Sequence, residues 1–152
     1  RYKQIARGFN YRMTNLQAAI LLAQIENFQK VIKVRNFLLK KYNKLLKKIP
    51  SIGLMPSMKW ADPVLWLMTI VLPKNINRNL FIKKMKKNNI ECRPMVNLVS
   101  EAIHFKKLKF IPSKKSIDLS RQSVHMPSSS NLTYANIQYI CSIVNETITK
   151  KL

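Results

Sequence analysis

Acidic side chains are scarce in this chain of 152 residues: six Asp and Glu stand against 28 Lys and Arg, so the formal net charge is +22. The six carboxylates are scattered along the chain, which gives no paired carboxylates for general acid–base catalysis. The only glycines are Gly8 and Gly53, and this excludes a glycine-rich phosphate loop. The two His and two Cys have no metal-ligand spacing, so no metal site is predicted.

Long apolar runs are also missing. The longest, around 64–72, is far too short to span a bilayer, and no secretory h-region follows the opening Arg-Tyr-Lys-Gln. Cys92 and Cys141 lie 49 positions apart without a CxxC partner. This pattern indicates reduced thiols in a cytoplasmic protein and not a disulfide framework. Apolar residues make up 47% of the chain, which is enough for the core of one domain.

The positive charge leaves two hypotheses open. A basic surface binds polyanions by counterion release whatever its fold, which would make the chain a nucleic-acid or polyanion-binding module. The second hypothesis is compositional drift, in which the lysines reflect the base composition of the gene. Lys, Asn and Ile together account for 52 of the 152 residues, which is the bias of an AT-rich coding sequence. Few aromatic residues lie among the basic runs, so stacking platforms for single strands are not evident. Drift is the favoured interpretation, and nucleic acid is not an expected partner.

A long helix is predicted near the start. Thr14 followed by Gln17 is a capping-box pattern. Apolar residues then recur at three- and four-residue steps to about Lys48, and Pro50 stops the helix. At about 1.5 Å per residue it would be roughly 50 Å long. Such a helix must reach past its own small domain or bend.

The remainder alternates strands and helices. Residues 51–64 read as a loop, and 65–72 as a central strand that is apolar on both faces. Asn77 is positioned to cap a second helix, and 90–92 form a short strand. Residues 95–115 have no clear pattern.

The end of the chain completes the pattern. A helical turn is expected at 116–121 and an extended piece at 124–126, after which Thr133 caps a last helix. The apolar stripe of that helix is Ile137, Ile140, Cys141, Val144 and Ile148. The order predicts an α+β fold, a small and mainly antiparallel sheet with helices on one side.

The segment from Gly8 to Met13 carries the clearest chemistry. It places an amide, a phenol and a guanidinium directly before a helix start. Arginine can hold a carboxylate or phosphate through two parallel bonds, and the helix N-terminus adds a positive end. Physics alone leaves two interpretations, an anion site or an N-terminal loop closed by a cap.

Four segments together resemble the DegT/StrS family of pyridoxal-phosphate-dependent sugar aminotransferases. The first, 8–20, is similar to the family's GxNYRMxxLQAAI segment, and 66–72 is similar to its core strand. Residues 89–94 resemble its GIETRP segment, and 126–133 its LPxSPNLT approach to the last helix. The likeness covers nearly the whole chain, which resembles perosamine-synthetase-like nucleotide-sugar aminotransferases.

The resemblance implies the C-terminal part of a fold-type I homodimer. Residues 1–50 would be the end of the large-domain region with a long connecting helix, and 51–152 the small α+β domain. Such enzymes use pyridoxal 5'-phosphate to move an amino group, usually from glutamate, to a keto-deoxysugar linked to a nucleotide, for amino-sugar and polysaccharide biosynthesis. The Schiff-base lysine would lie upstream of Arg1. No lysine here is therefore named as catalytic, and this piece is not expected to be active alone.

The resemblance also implies roles for single residues. Asn10 would reach across the dimer to the partner's cofactor phosphate, and Arg12 would favour the amino donor's carboxylate. Arg93 has two open interpretations, a substrate-facing anion contact or an arginine that fixes the strand end through backbone hydrogen bonds. Tyr11 is expected to pack near the site, and Trp66 to be a core residue that could instead line the sugar site.

Some positions depart from the family pattern. Cys92 stands where Thr is usual, and Asn89 replaces a glycine, a change that Asn tolerates at positive φ. Ser100 lies near a common His, in a poorly matching stretch that helps to form the acceptor site. His104 and His125 are expected to be structural. A non-catalytic remnant that keeps only dimerisation through the long helix is a further alternative.

Overall fold

The computed structural model describes residues 8–9, 11–105 and 112–149. Its first element, α1, is the helix Asn15–Leu46. The predicted capping box is present: the Gln17 amide donates to Thr14 Oγ1 at 3.3 Å, and the Thr14 amide donates to Gln17 Oε1 at 2.9 Å. These two bonds satisfy amides that a helix start leaves without intrahelical partners.

Only the second half of α1 packs against the rest of the protein. Residues 15–30 are all exposed, whereas Leu38, Tyr42 and Leu46 are completely buried. The apolar stripe therefore continues into solvent, where Ile20, Ile25 and several other large apolar side chains lie uncovered. The expectation that this helix reaches past its own domain is confirmed.

One four-stranded antiparallel sheet forms in the order β1-β2-β4-β3. The strands are β1 Gly53–Leu54, β2 Met68–Val71, β3 Arg93–Pro94 and β4 Ser123–Met126. The predicted central strand is confirmed, although it is shorter than 65–72, because only 68–71 pair with β4. The segment read as a loop contains β1, which pairs Gly53 with Val71.

Three further helices follow: α2 is Arg78–Lys87, α3 is Lys114–Gln122 and α4 is Tyr134–Thr149. The core lies between one face of the sheet and helices α1, α2 and α4. The buried apolar sheet residues are Met68 and Ile70 on β2, with Val124 and Met126 on β4. They pack with buried residues of α1, α2 and α4: Leu38, Tyr42, Leu46, Phe81, Met85, Ile137, Ile140, Cys141 and Val144. This arrangement is the predicted α+β layer.

Local caps set the helix boundaries as the sequence indicated. Asn77 Oδ1 accepts from the amides of Asn79 and Leu80 at the start of α2. Thr133 and Asn136 exchange two bonds at the start of α4. No helix among the described residues is long and apolar enough to cross a membrane.

Helix α2 ends in a Schellman motif. The Ile90 amide donates to the Met85 carbonyl and the Asn89 amide to the Lys86 carbonyl, both at 3.0 Å. Asn89 adopts φ 58°, the left-handed conformation expected where the family has glycine. Ile90 and Met85 are both buried, which supplies the apolar contact typical of this motif.

Two expectations were wrong in detail. Residues 90–92 are not a strand; pairing with β4 begins at Arg93, because Ile90 is used to close the end of α2. Trp66 is not a core residue: it is 78% exposed, while its neighbour Leu65 is buried. It precedes the paired part of β2, so its side chain is not held against the helices.

Candidate functional site

The motif segment lies at the projecting end of α1. Asn10 falls outside the described residues, but Phe9, Tyr11, Arg12 and Met13 are all exposed, and Tyr11 is 90% exposed. The rings of Phe9 and Tyr11 lie with their centroids 5.9 Å apart. An added Cβ at Gly8 would find open space, so this glycine leaves room for a close neighbour.

This segment has the chemistry of one edge of an anion site. It combines a guanidinium on Arg12 with the positive end of a 32-residue helix. A phosphate or carboxylate group fits that donor set. The described residues around it form an exposed tip and not an enclosed cradle. The described donors of this tip, the Arg12 guanidinium and the start of α1, fit a carboxylate or phosphate group.

Arg93 lies elsewhere, on edge strand β3. Its Nη2 and Nε donate to Glu91 Oε1 at 2.8 and 3.1 Å, and these two side chains are 77% and 76% exposed. The guanidinium bonds found among the described residues thus go to a carboxylate and not to backbone carbonyls. Arg93 remains available to an external anion, because an exposed ion pair is weak.

Three polar side chains form a row across the sheet on the face opposite the core. Thr69 on β2 pairs with His125 on β4, and His125 pairs with Arg93 on β3. Thr69 Oγ1 and His125 Nδ1 are 2.9 Å apart. Burial lowers the pKa of His125, which keeps this half-buried imidazole neutral at neutral pH. A structural role for His125 accounts for this bond; the side chain of His104 lies outside the described part of the chain.

A cavity of about 300 Å³ opens beside this row. The described residues that line it are the polar Glu91, Arg93 and His125, the apolar Leu67, Met126 and Pro127, and Ser128 and Ser129 at the turn after β4. We call it the sheet-edge cavity. Sequence reasoning singled out Arg93 but missed the cavity, because it forms only when three distant segments pair in register.

Arg35 holds the turn that borders this cavity. Its Nη1 donates to the carbonyls of Ser128 at 2.7 Å and Trp66 at 3.0 Å, and Tyr42 Oη donates to the Pro127 carbonyl at 2.9 Å. Arg35 and Tyr42 lie seven positions apart, on the same stripe of α1. The sequence signal for this contact was an arginine, Arg35, within the apolar stripe of α1.

The two candidate regions are not brought together in this chain. Asn15, the first residue of α1, lies 20 residues before Arg35, about 30 Å along the helix axis, and Arg12 lies three residues beyond it. Arg35 is where α1 meets the turn beside the sheet-edge cavity. Within the part of the chain that the structure describes, no group of three or more His, Cys, Asp or Glu could hold a metal ion.

Comparison with known proteins gives consistent relatives. The model of the DegT/DnrJ/EryC1/StrS aminotransferase family matches residues 1–145. The chain is 28% identical over 152 residues to a GDP-perosamine synthase of Vibrio cholerae, covering 95% of this chain and 40% of that protein. It is 24% identical over 136 residues to EpsN of Bacillus subtilis, a putative pyridoxal phosphate-dependent aminotransferase, covering 87% of this chain and 35% of that one.

Solved structures share the fold. PseC of Helicobacter pylori, an aminotransferase of pseudoaminic acid biosynthesis, superposes with a TM-score of 0.86 at 20% identity, covering 97% of this chain and 41% of that one. DesV of S. venezuelae superposes with a TM-score of 0.84 at 20% identity, covering 97% and 40%. The chain therefore spans about two fifths of these relatives. With a family match over nearly all of its length, the chain belongs to the DegT/DnrJ/EryC1/StrS aminotransferase family.

Proposed function

We propose that this chain is the C-terminal part of a sugar aminotransferase. The reaction would move an amino group, from glutamate, to a keto-deoxysugar linked to a nucleotide, for amino-sugar and surface-polysaccharide biosynthesis. One observation carries the proposal: the family's motif segment stands exposed at the tip of a helix whose residues 15–30 are all exposed to solvent. A tip built this way serves a site completed by another part of the enzyme.

Pyridoxal phosphate would supply the electron sink for the transfer. Asn10 would donate to the cofactor phosphate of a partner subunit, and Arg12 would hold the carboxylate of the amino donor. Arg93 would be a second anion contact, because its guanidinium is exposed and is held by a single carboxylate. The uncovered apolar face of α1 supports a homodimer, since its large side chains need a partner surface.

The domain division follows the same proposal. Residues 1–50 would connect the large domain to the small domain, 51–152, with the last turns of α1 packed into the small-domain core. The catalytic lysine would belong to the large domain, so this piece alone would neither retain cofactor nor turn over. We place the enzyme in the cytoplasm, which the two buried free thiols support. The comparisons favour this function over a polyanion-binding module.

The test is to express the longest reading frame that contains this chain and to measure cofactor uptake. A full-length protein should gain the visible absorbance of lysine-bound pyridoxal phosphate and should aminate a nucleotide-linked keto sugar with glutamate as donor. A full-length protein with its lysine intact that takes up no cofactor would overturn the proposal. Uptake without transfer to any keto sugar would favour a non-catalytic remnant.

Asn10→Ala tests the phosphate contact. This variant should lose cofactor several-fold faster during dialysis, because one donor to the phosphate is removed. Asn75→Ala is the matched control, since Asn75 is an exposed amide in the loop before α2, away from the motif. Equal retention in both variants would remove the role assigned to Asn10.

A further inference from the structure

The outer surface of the helix layer, on the side away from the sheet, is rich in lysine. Helix α4 packs between α1 and α2. The only charged residue along its length is Glu146, whereas lysines follow it on both sides. We call this surface the helix-layer face and define it by six residues: Lys41, Lys44, Lys48, Lys83, Lys84 and Lys87.

One row of these lysines comes from the end of α1 and the turn after it. Lys41, Lys44 and Lys48 recur at three- and four-residue steps, so they share one side. The Lys41 ammonium lies 4.8 Å from the centre of the Tyr134 ring at the start of α4. Lys48 borders the groove between the two helices together with Gln138. This row therefore runs along α4.

The second row comes from α2. Phe81 and Met85 are buried, so the opposite side of this helix points away from the core. Lys83 and Lys87 are exposed and Lys84 is half-buried. Since packed helices lie about 8–10 Å apart, the two rows are separated by roughly 20 Å, with α4 between them.

These rows form a concentrated positive charge. None of the six lysines forms an ion pair with a carboxylate of the described residues, where Glu91 pairs with Arg93 instead. A surface with this balance attracts polyanions. The remaining question is which polyanion its other side chains fit.

Those side chains fit a lipid surface. Phe37, Leu80 and Tyr139 lie on the same three helices and are each roughly half exposed. Aromatic rings and lysine stems are the groups that occupy the headgroup level of a bilayer. Residues 36–48, 79–90 and 134–149 contain no arginine, the residue most used for bidentate contacts to guanine and phosphate. The combination favours an anionic membrane over a nucleic acid.

We propose that the helix-layer face binds the surface of a membrane that contains anionic phospholipids. Both lysine rows contact lipid phosphates, and Phe37, Leu80 and Tyr139 enter the headgroup region. Attachment is peripheral, and it leaves free the opposite face of the sheet, where Thr69 and His125 pair. This inference goes beyond the proposed transfer reaction.

Vesicle co-sedimentation of the chain tests the proposal. The probes are vesicles of phosphatidylcholine alone and vesicles of equimolar phosphatidylcholine and phosphatidylglycerol. The chain should bind the anionic vesicles at least about tenfold more tightly. Binding should be lost in about 1 M NaCl, where the Debye length is about 3 Å. Equal binding to both vesicles, or binding that survives salt, would indicate attachment through an apolar surface such as the first half of α1 and would overturn the proposal.

Charge-removing variants locate the binding face. The triple variant Lys83→Gln, Lys84→Gln, Lys87→Gln should weaken binding about 100-fold, because each lysine near an anionic surface contributes about fivefold. Lys44→Gln with Lys48→Gln should weaken it about 25-fold for the same reason. The matched control removes the charge of three exposed lysines outside the face and should change affinity less than about threefold: Lys59, Lys114 and Lys115. Equal losses in the two triple variants would assign binding to overall charge and overturn the proposal.

A DNA duplex provides the last comparison. If the chain binds duplex more tightly than anionic vesicles at physiological salt, and the α2 triple variant removes that binding, the face is a nucleic-acid surface and the membrane proposal is wrong. All these measurements use neither cofactor nor amino transfer. A negative result would therefore leave the aminotransferase proposal untouched.

Discussion

Gly53 lies opposite Val71 in the pairing of β1 with β2. A Cβ placed on Gly53 would come within 2.9 Å of Val71 Cβ, a distance that real Cβ atoms essentially never show. Val71 Cβ is attached directly to the backbone of a central strand, so relief requires a strand shift. We predict that Gly53→Ala lowers the free energy of unfolding by about 1–3 kcal/mol. Urea denaturation measures this change.

The matched control is Gly8→Ala. An added Cβ at Gly8 meets no atom of the described residues within 4 Å. Its free energy of unfolding should therefore stay within about 0.5 kcal/mol of the parent chain. Equal losses in both variants would show that the Gly53 effect comes from general flexibility and not from Val71.

Cys92 and Cys141 are free thiols in the core. Burial raises the pKa of each to about 12 from an ordinary value near 9.0. Below pH about 9 both thiols are protonated in the folded and unfolded chain alike, so their contribution to stability is fully present. Above that pH the unfolded chain ionises first, and stability is lost progressively up to pH about 12.

We therefore predict that the urea midpoint falls between neutral pH and pH about 10.5. Tyr42 acts in the same direction, because burial raises its pKa well above the ordinary value. The double variant Cys92→Ala, Cys141→Ala should show a smaller fall over the same range, since only Tyr42 of these three groups then remains. A fall as steep as that of the parent chain would rule out the thiols as its cause.

The turn that closes helix α2 contains Asn89, whose backbone conformation is unfavourable for most residue types. Asn89 has φ 58°, which Gly adopts freely and Asn tolerates. We predict that Asn89→Ala lowers the free energy of unfolding by about 1 kcal/mol, whereas Asn89→Gly leaves it unchanged or raises it. Thermal unfolding of the two variants gives the comparison. The reverse ranking would mean that the Asn side chain, and not its backbone, stabilises this helix end.

The Arg35 contacts join α1 to the turn after β4. We predict that Arg35→Met costs about 1.5–3 kcal/mol of unfolding free energy, because two carbonyls lose a charged donor while the apolar stem is kept. Lys40→Met is the control, an exposed cation on the same helix. The backbone amide chemical shifts of Trp66 and Ser129 should change in Arg35→Met and not in Lys40→Met. Identical stability of the two variants would contradict the contact.

Local signals made most of the elements predictable. Thr14, Asn77 and Thr133 each cap a helix through bonds to residues two or three positions away, so their sequence context was sufficient. Strand pairing was harder, because β1 and β3 are two residues each and exist only through distant partners. Trp66 was misplaced for a related reason: a run that is apolar at every position does not reveal where pairing begins.

The two candidate sites also differ in whether local sequence signals or distant strand pairing define them. Arg12 and Asn10 could be named from a contiguous motif, and the roles assigned to them stay predictions. The sheet-edge cavity could not be foreseen, because it depends on the register that sets Arg93 opposite His125. Sequence reasoning found the residue there and missed its surroundings.

At the scale of the whole molecule, the first half of α1 leaves Ile20, Leu21 and Ile25 exposed. We predict that the isolated chain self-associates through this face as its concentration rises. Leu21→Lys with Ile25→Lys should reduce this association without lowering the thermal midpoint, because neither side chain is buried in the fold. Sedimentation velocity measures the association.

The control exchanges two exposed polar residues of the same helix half, Gln24→Lys with Gln29→Lys. It adds the same charge and should leave association almost unchanged. Equal effects of both pairs would point to net charge, and not the apolar face, as the determinant. A monomeric parent chain at all concentrations would remove this support for a dimer.

Because α1 is long, a small change in its direction moves its projecting end by a large distance. The start of α1 lies about 30 Å from the Arg35 contacts, so a tilt of only about 5° at those contacts would move the helix start by about 2.6 Å. A displacement of that size breaks a hydrogen bond, whose donor–acceptor distance is confined to about 2.7–3.2 Å. In the proposed enzyme, the position of Arg12 relative to its anion would therefore depend on the surface that covers residues 15–30, and a partner subunit would fix the direction of the helix as well as form a wall of the site.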